Sequence, residues 1–193
     1  MIKASIDYIN SKLAALNYFE KSFGLCETIA KGDKTFPAEY NSKGEYKQIN
    51  DFDKYNGVSY IRKDGTLSIS DEINTLEACG ILNNVNIPLK LIAVIPRKKL
   101  DCDNNYSEDV IAQTIMRSLM TKSPDLKVAL NARQARIQIT SYNTDSRSIL
   151  SEEYSGYPKL DVNYKYAYLS LNISVIAIVT NECLIRDCYG VYS

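Results

Sequence analysis

Ile2, Ile6, Ile9, Leu13 and Leu16 recur at intervals of four, three, four and three residues. That is the period of one helical face, and it predicts an amphipathic helix of about four turns ending before Gly24. The period then drops to two. Gly32-Asp33 separates a strand over 25–31 from one over 34–40, and Asn41-Ser42-Lys43-Gly44 separates the latter from a strand over 45–50. Pro37 marks the second of these as an edge strand or a bulged one. Asp64-Gly65 is a two-residue hairpin signal between 58–63 and 66–70. In that register Arg62 faces Leu67 and Tyr60 faces Ile69, with Val58, Tyr60, Leu67 and Ile69 on the core face.

Residues 71–84 read as a short helix or a loop. Val85 to Ile95 reads as a strand, almost continuously apolar from Leu89 and ended by Pro96. A second helix spans 107–121, with Ser107 as N-cap and Glu108 and Asp109 where the helix dipole favours anions. Its expected buried stripe is Val110, Ile111, Ile115 and Leu119, and Ser123-Pro124 stops it. A strand covers 133–142, and a turn over 141–145 opens a short helix over 147–154. In the last strand Leu169, Leu171, Ile173 and Val175 share one face. Tyr164, Tyr166, Tyr168, Ser170, Asn172 and Ser174 share the other. Both faces turn apolar from Val175 to Val179, so this end is expected to be covered and the tyrosine end half-exposed. The fold class expected is α+β: an antiparallel sheet, made of a meander plus a long C-terminal strand, packed on two main helices. Residues 1–193 form one domain in this reading, with a hairpin projecting around 58–70.

Composition changes the functional picture. The chain has no histidine, no tryptophan and 15 tyrosines. Histidine is the commonest general base and metal ligand near neutral pH, so Ser-His, Cys-His and His-metal chemistries are excluded. The 23 basic and 23 acidic residues balance, which argues against a sequence-wide attraction to nucleic acid or to an anionic membrane. The first residues lack the apolar core of a signal peptide, and the longest apolar run, 173–179, is too short to span a bilayer. Cys26, Cys79, Cys102, Cys183 and Cys188 are odd in number and widely spaced, which favours free thiols over a zinc site.

No nucleotide-binding glycine loop, nucleophile elbow or EF-hand is present. Asp101, Asp103 and Asn104 lack the later glycine and glutamate of a calcium loop and read as a polar connection. Arg97-Lys98-Lys99 reads as a solvated strand end. Adjacent residues on a helix diverge by about 100°, so Glu152-Glu153 reads as a solvated face rather than an acid–base pair. Arg133, Arg136 and Arg147 form an anion site if their elements converge. The expectation is that there is no catalytic centre; carboxylates converging with a lysine or tyrosine in a closed pocket would count against it. The row Tyr164, Tyr166 and Tyr168 is the strongest candidate contact surface, because tyrosine is amphipathic, stiff and enriched at interfaces. The alternative is a sheet face covered by the protein's own helix.

The segment Ala135-Arg136-Ile137-Gln138-Ile139-Thr140-Ser141-Tyr142-Asn143-Thr144-Asp145, with Ile149-Leu150 and Glu152-Glu153-Tyr154, resembles a stretch of the tail-terminator-like and neck (ring) proteins of tailed bacteriophages. Those proteins also end in a long apolar strand such as Tyr166–Thr180. The chain as a whole is similar to small virion proteins of the crAss-like phages. The resemblance implies a tail-terminator-like fold and a ring-forming virion subunit at the head–tail junction or tail end, assembled in the host bacterial cytoplasm. It implies no active site, cofactor or metal. Its partners would be copies of itself and other neck or tail proteins, with no membrane and no sequence-specific nucleic acid, although DNA could pass through the ring lumen. The candidate subunit interface is Lys63, Asp64, Gly65 and Thr66 at the hairpin tip together with Tyr164, Tyr166 and Tyr168. The chain's length and extra hairpin depart from the simplest terminator pattern and leave the level in the neck open. The alternatives are a soluble ligand- or protein-binding module, and an enzyme using carboxylates, tyrosine or lysine.

Overall fold

The computed structural model describes residues 1–40, 45–49, 54–71, 82–100, 107–120, 124–153 and 166–180. Expectations for Tyr164, the Asp101–Asn104 loop, and Cys79, Cys102, Cys183 and Cys188 lie outside these residues.

Helix α1 (Ile2–Ala14) leads into β1 (Lys21–Lys31), β2 (Lys34–Tyr40) and β3 (Tyr46–Gln48). Then follow β4 (Val58–Lys63), β5 (Ser68–Asp71) and the 15-residue β6 (Leu82–Pro96), which ends in a 3-10 turn over Arg97–Lys99. Helices α2 (Glu108–Met120) and α3 (Pro124–Ala129) precede β7 (Gln134–Asn143), α4 (Ser146–Glu153) and β8 (Tyr166–Thr180). The strands form one mixed, mostly antiparallel sheet in the order β3-β2-β1-β4-β6-β8-β7, with β5 also on β6. The α+β class expected from the sequence is the one observed.

The Gly32-Asp33 turn joins β1 to β2 with Lys31 opposite Lys34, as the sequence predicts. The meander continues through β3, antiparallel to β2, and ends there, because β4 lies on the far side of β1 and parallel to it. At this crossing Gly57 has φ +102°, and a Cβ there would lie 2.2 Å from the carbonyl oxygen of Tyr18. Its own carbonyl accepts from Glu20 N at 2.9 Å, which ties the start of β1 to the entry of β4. Pro37 does not sit on an edge, since β3 lies outside β2. Its carbonyl accepts from Ile49 N, so its missing donor faces the side where the β3 ladder has just ended.

The hairpin expected at Asp64-Gly65 does not form. β4 pairs with residues 89–94 of β6, and β5 pairs with residues 83–86 of the same strand. The two are successive pieces of one edge, running in the same direction, and residues 64–67 are an excursion between them. Arg62 therefore faces Lys90 rather than Leu67, and Tyr60 faces Ile92 rather than Ile69. The break between β4 and β5 falls at Pro88 of β6. Asp64 N donates to Pro88 O at 3.1 Å, so Pro88 turns its backbone towards this edge and offers no N–H there. The ladder breaks opposite that gap. Lys63, Asp64, Gly65 and Thr66 are exposed, and Asp64 and Gly65 lie beside Pro88 of β6.

The larger core lies between the sheet and α1, α2 and α3. It takes Ile6, Ile9 and Leu13 from α1, Ile111, Ile115 and Leu119 from α2, and the alternate residues Leu169, Leu171, Ile173 and Val175 of β8. The α2 stripe differs in one place: Val110 is exposed and Ala112 is buried. Ser107 does cap this helix, accepting from Val110 N at 3.3 Å. Helix α3 is an addition to the two main helices expected; Pro124, read as a stop, is its first residue, where a missing N–H costs nothing.

A smaller core covers the opposite face with α4 and the β2–β3 region. It contains Cys26, Phe36, Ile49, Val58, Tyr60, Ile92, Val94, Ile149 and Tyr168. This reverses the expectation for β8. Its tyrosine end is the covered end, because Ser146 at the start of α4 accepts from Tyr168 N at 3.0 Å and brings the helix onto it. Ile176 and Ile178 at the other end are half-buried.

Candidate functional site

Three charged elements converge under α4. Lys90 stands in the apolar run of β6, Arg62 lies opposite it on β4, and Glu152 and Glu153 end α4. Tyr60, fully buried, donates its hydroxyl to Glu153 Oε2 at 3.1 Å. Arg62 reaches both carboxylates, 2.8 Å from Glu153 Oε1 and 2.9 Å from Glu152 Oε1. Lys90, 6% exposed, donates to the same Glu152 oxygen. The Arg62–Glu153 contact is an ion pair with poor hydrogen-bond alignment, which leaves Glu153 Oε1 and Arg62 Nε without a directed bond.

Glu152 and Glu153 do not form the solvated face expected of adjacent helical residues. Glu153 is 1% exposed, and Glu152 is half-exposed above it. Burial pushes the Glu153 carboxyl above the usual glutamate range, against the opposing pull of Arg62 and the Tyr60 hydroxyl. Glu152 is held below that range, first by its hydrogen bond from Lys90. Two acids and two bases compensate one another. Such an arrangement fixes the seat of α4 on the sheet; it has carboxylates beside a lysine and a tyrosine, but their polar atoms face one another. The lone lysine in Leu89-Lys90-Leu91 is the signal in the sequence that could have found it.

Cys26 lies near this cluster. Burial pushes its thiol up to about 12, with Glu39, Glu153 and Glu27 adding to the effect. A thiol so rarely ionised is a packing residue, not a nucleophile.

A groove of about 710 Å³ opens between the start of α1, β1 and the β2–β3 pair. Ile2, Ile6, Phe23 and Leu25 line it, with Tyr40 and Tyr46 at its rim. Those two tyrosines are direct cross-strand partners, with ring centroids 5.2 Å apart in an edge-to-face arrangement. They are 63% and 51% exposed. Two ion pairs belong to the same groove, Lys3 with Asp7 and Lys63 with Glu27 at 3.9 Å.

The structure divides the interface residues named from sequence. Lys63 lines the Tyr40–Tyr46 groove, while Asp64, Gly65 and Thr66 lie on the excursion between β4 and β5. Tyr166 is partly buried against the smaller core, and Tyr168 is 1% exposed within it. Tyr168 is therefore core in the subunit, and Tyr164 lies outside the described residues. Among the described residues the exposed tyrosines are Tyr40, Tyr46 and Tyr142; the period-two reading passed over the first two because burial, not alternation, distinguishes them. Arg133 and Arg136 line one groove together, and Arg147, on α4, is not part of its lining. Arg97 pairs with Glu108 at 3.3 Å and joins the end of β6 to α2.

Among the described residues no group of three or more cysteine, aspartate or glutamate side chains is placed to hold a metal ion. No helix among them is long and apolar enough to cross a membrane. Neither a protein-family model nor a curated protein matches the chain.

Proposed function

We propose that this protein is a structural subunit that associates head to tail with copies of itself, closing into a ring of the neck or tail-terminator kind that its sequence resembles. The observation that carries the reading is the Tyr40–Tyr46 pair, two large rings in open solvent at the rim of an apolar groove. Aromatic residues in that setting are the usual anchors of protein interfaces. The ends of the described sheet are also unlike, a three-residue β3 at one and a ten-residue β7 at the other. Contacts between unlike patches are heterologous, and they close into rings where the rotation permits. The cluster around Glu153 fits a non-catalytic part, since Tyr60, Arg62 and Lys90 engage its carboxylates. A virion location, at the head–tail junction or tail end beside other neck or tail proteins, belongs to the same proposal and rests on the sequence resemblance.

A soluble binding module is the second reading, because a groove of about 710 Å³ is within the range of ligand sites. Size-exclusion chromatography with light scattering, followed by negative-stain imaging over a concentration series, separates the two. The ring reading expects a defined oligomer with annular particles. A monomer at every concentration sinks it and leaves the groove as a ligand site.

A further inference from the structure

A different groove, of about 390 Å³, follows β7. One wall is apolar and includes Tyr8, Leu119 and Leu126 from the three helices of the larger core. The other is the start of β7 with the residue before it, contributing residues 133–137 in succession. β7 ends the sheet: it pairs with β8 on one side and with no described strand on the other. Its pairing with β8 is regular from Gln134 to Ile139, where a bulge interrupts it. A strand edge of this kind presents a row of unpaired N–H and C=O groups, a template for one more strand.

The charge at the groove is one-sided. Among the described residues Lys127, Arg133 and Arg136 line it and no carboxylate does. None of the three forms an ion pair with a described residue. The same cations disfavour a second copy of the β7 edge, since like charges would then face each other across the new ladder. They favour an acidic strand instead.

We propose that the β7 edge and its groove take up an extended, acidic segment of a partner protein by strand addition. The segment alternates apolar and acidic residues. Its main chain continues the ladder of β7, its apolar side chains enter the groove over Tyr8, Leu119 and Leu126, and its carboxylates, on the other face, meet Arg136, while Lys127 and Arg133 add positive charge at the groove. Main-chain bonds then supply affinity, and the alternate side chains supply specificity. This proposal does not use Tyr40 and Tyr46, which lie at the opposite end of the described sheet.

The test uses the full chain and fluorescein-labelled peptides of alternating valine and glutamate, read by fluorescence anisotropy. Three comparisons are made: a valine–lysine peptide, the valine–glutamate peptide N-methylated at alternate residues, and a labelled oligothymidylate. The acidic peptide is expected to bind, with affinity falling as salt rises. N-methylation, which removes main-chain donors but no charge, should weaken binding by roughly tenfold or more. Arg133→Glu with Arg136→Glu should abolish it while the circular dichroism spectrum is unchanged. Should that variant misfold, Lys127→Glu, on the exposed side of α3, gives the same reading. Equal binding of the N-methylated and parent peptides overturns strand addition. Equal binding of the lysine and glutamate peptides overturns the charge argument. Tighter binding of oligothymidylate than of the acidic peptide overturns the peptide in favour of a nucleic acid. Loss of self-association in the charge variant, with no peptide bound by the parent, overturns it in favour of a second copy.

Discussion

Tyr60→Phe removes the hydrogen bond from the Tyr60 hydroxyl to Glu153 inside the protein. The ring stays, and only the hydroxyl that donates to Glu153 Oε2 at 3.1 Å is removed. Tyr60 is fully buried and Glu153 is 1% exposed, so water cannot replace the lost donor. A hydrogen bond to a charged group contributes about 1.5–3 kcal/mol. Arg62 remains 2.8 Å from the other oxygen and keeps part of the charge compensated, which places the expected loss at about 2 kcal/mol. For a chain of this length that corresponds to a fall of roughly 4–8 °C in Tm. The loss should depend on pH, and its sign follows from linkage. Burial raises the Glu153 carboxyl in the folded state, so the folded protein holds this proton more tightly than the unfolded chain does. Stability from this group is greatest at acidic pH and falls as pH rises from the ordinary glutamate range through the raised value. The Tyr60 hydroxyl stabilises the charged carboxylate, so its removal costs most at neutral pH and less once Glu153 is protonated. Urea unfolding followed by circular dichroism, at neutral pH and near the ordinary glutamate range, reads both numbers, with an unchanged m-value as control. A loss that is the same at both pH values, or below about 0.5 kcal/mol at neutral pH, refutes the buried-carboxylate reasoning.

Tyr168→Ala should unfold the subunit rather than dissociate an assembly, costing about 3–5 kcal/mol as large-to-small changes in a packed core do; thermal unfolding of the isolated chain checks this. Tyr40→Ser with Tyr46→Ser should leave circular dichroism unchanged yet abolish assembly in sedimentation velocity, each buried interface tyrosine being able to contribute about 2 kcal/mol or more. Gly57→Ala puts a methyl group into the Tyr18 carbonyl at a positive φ and should cost about 2 kcal/mol or more, measured by denaturant midpoint. Native Cys26 should resist iodoacetamide in mildly alkaline buffer and react once the chain is unfolded, as peptide mass mapping would detect.

Expectations that rest on short-range periodicity agree with the structure apart from Val110 of α2, which is exposed. The α1 stripe, the Ser107 cap, the Gly32-Asp33 hairpin and the alternation of β8 are all statements about residues within one turn or one ladder step of each other. Arg133 and Arg136 came together because they are three residues apart at the start of β7, while Arg147, on α4, did not join them. The site under α4 was not legible in the same way. Its members are 28, 62 and 90 residues apart or more, and a lone Lys90 in an apolar run was their only trace.

The amino-acid order by itself determined most of the helices and strands and the apolar face of each, because backbone geometry imposes those periods locally, but not α3 or the start of β6 at Leu82. Tertiary structure decided which strands become neighbours. Asp64-Gly65 carries a strong hairpin signal, yet β4 and β5 both pair with β6, whose Pro88 withholds the donor that would have continued their edge. It also decided the coverage of β8, where α4 lands on the tyrosine end and leaves Ile176 and Ile178 half-buried. A residue's period says which face it occupies, whereas what packs on that face depends on contacts between segments far apart in the chain.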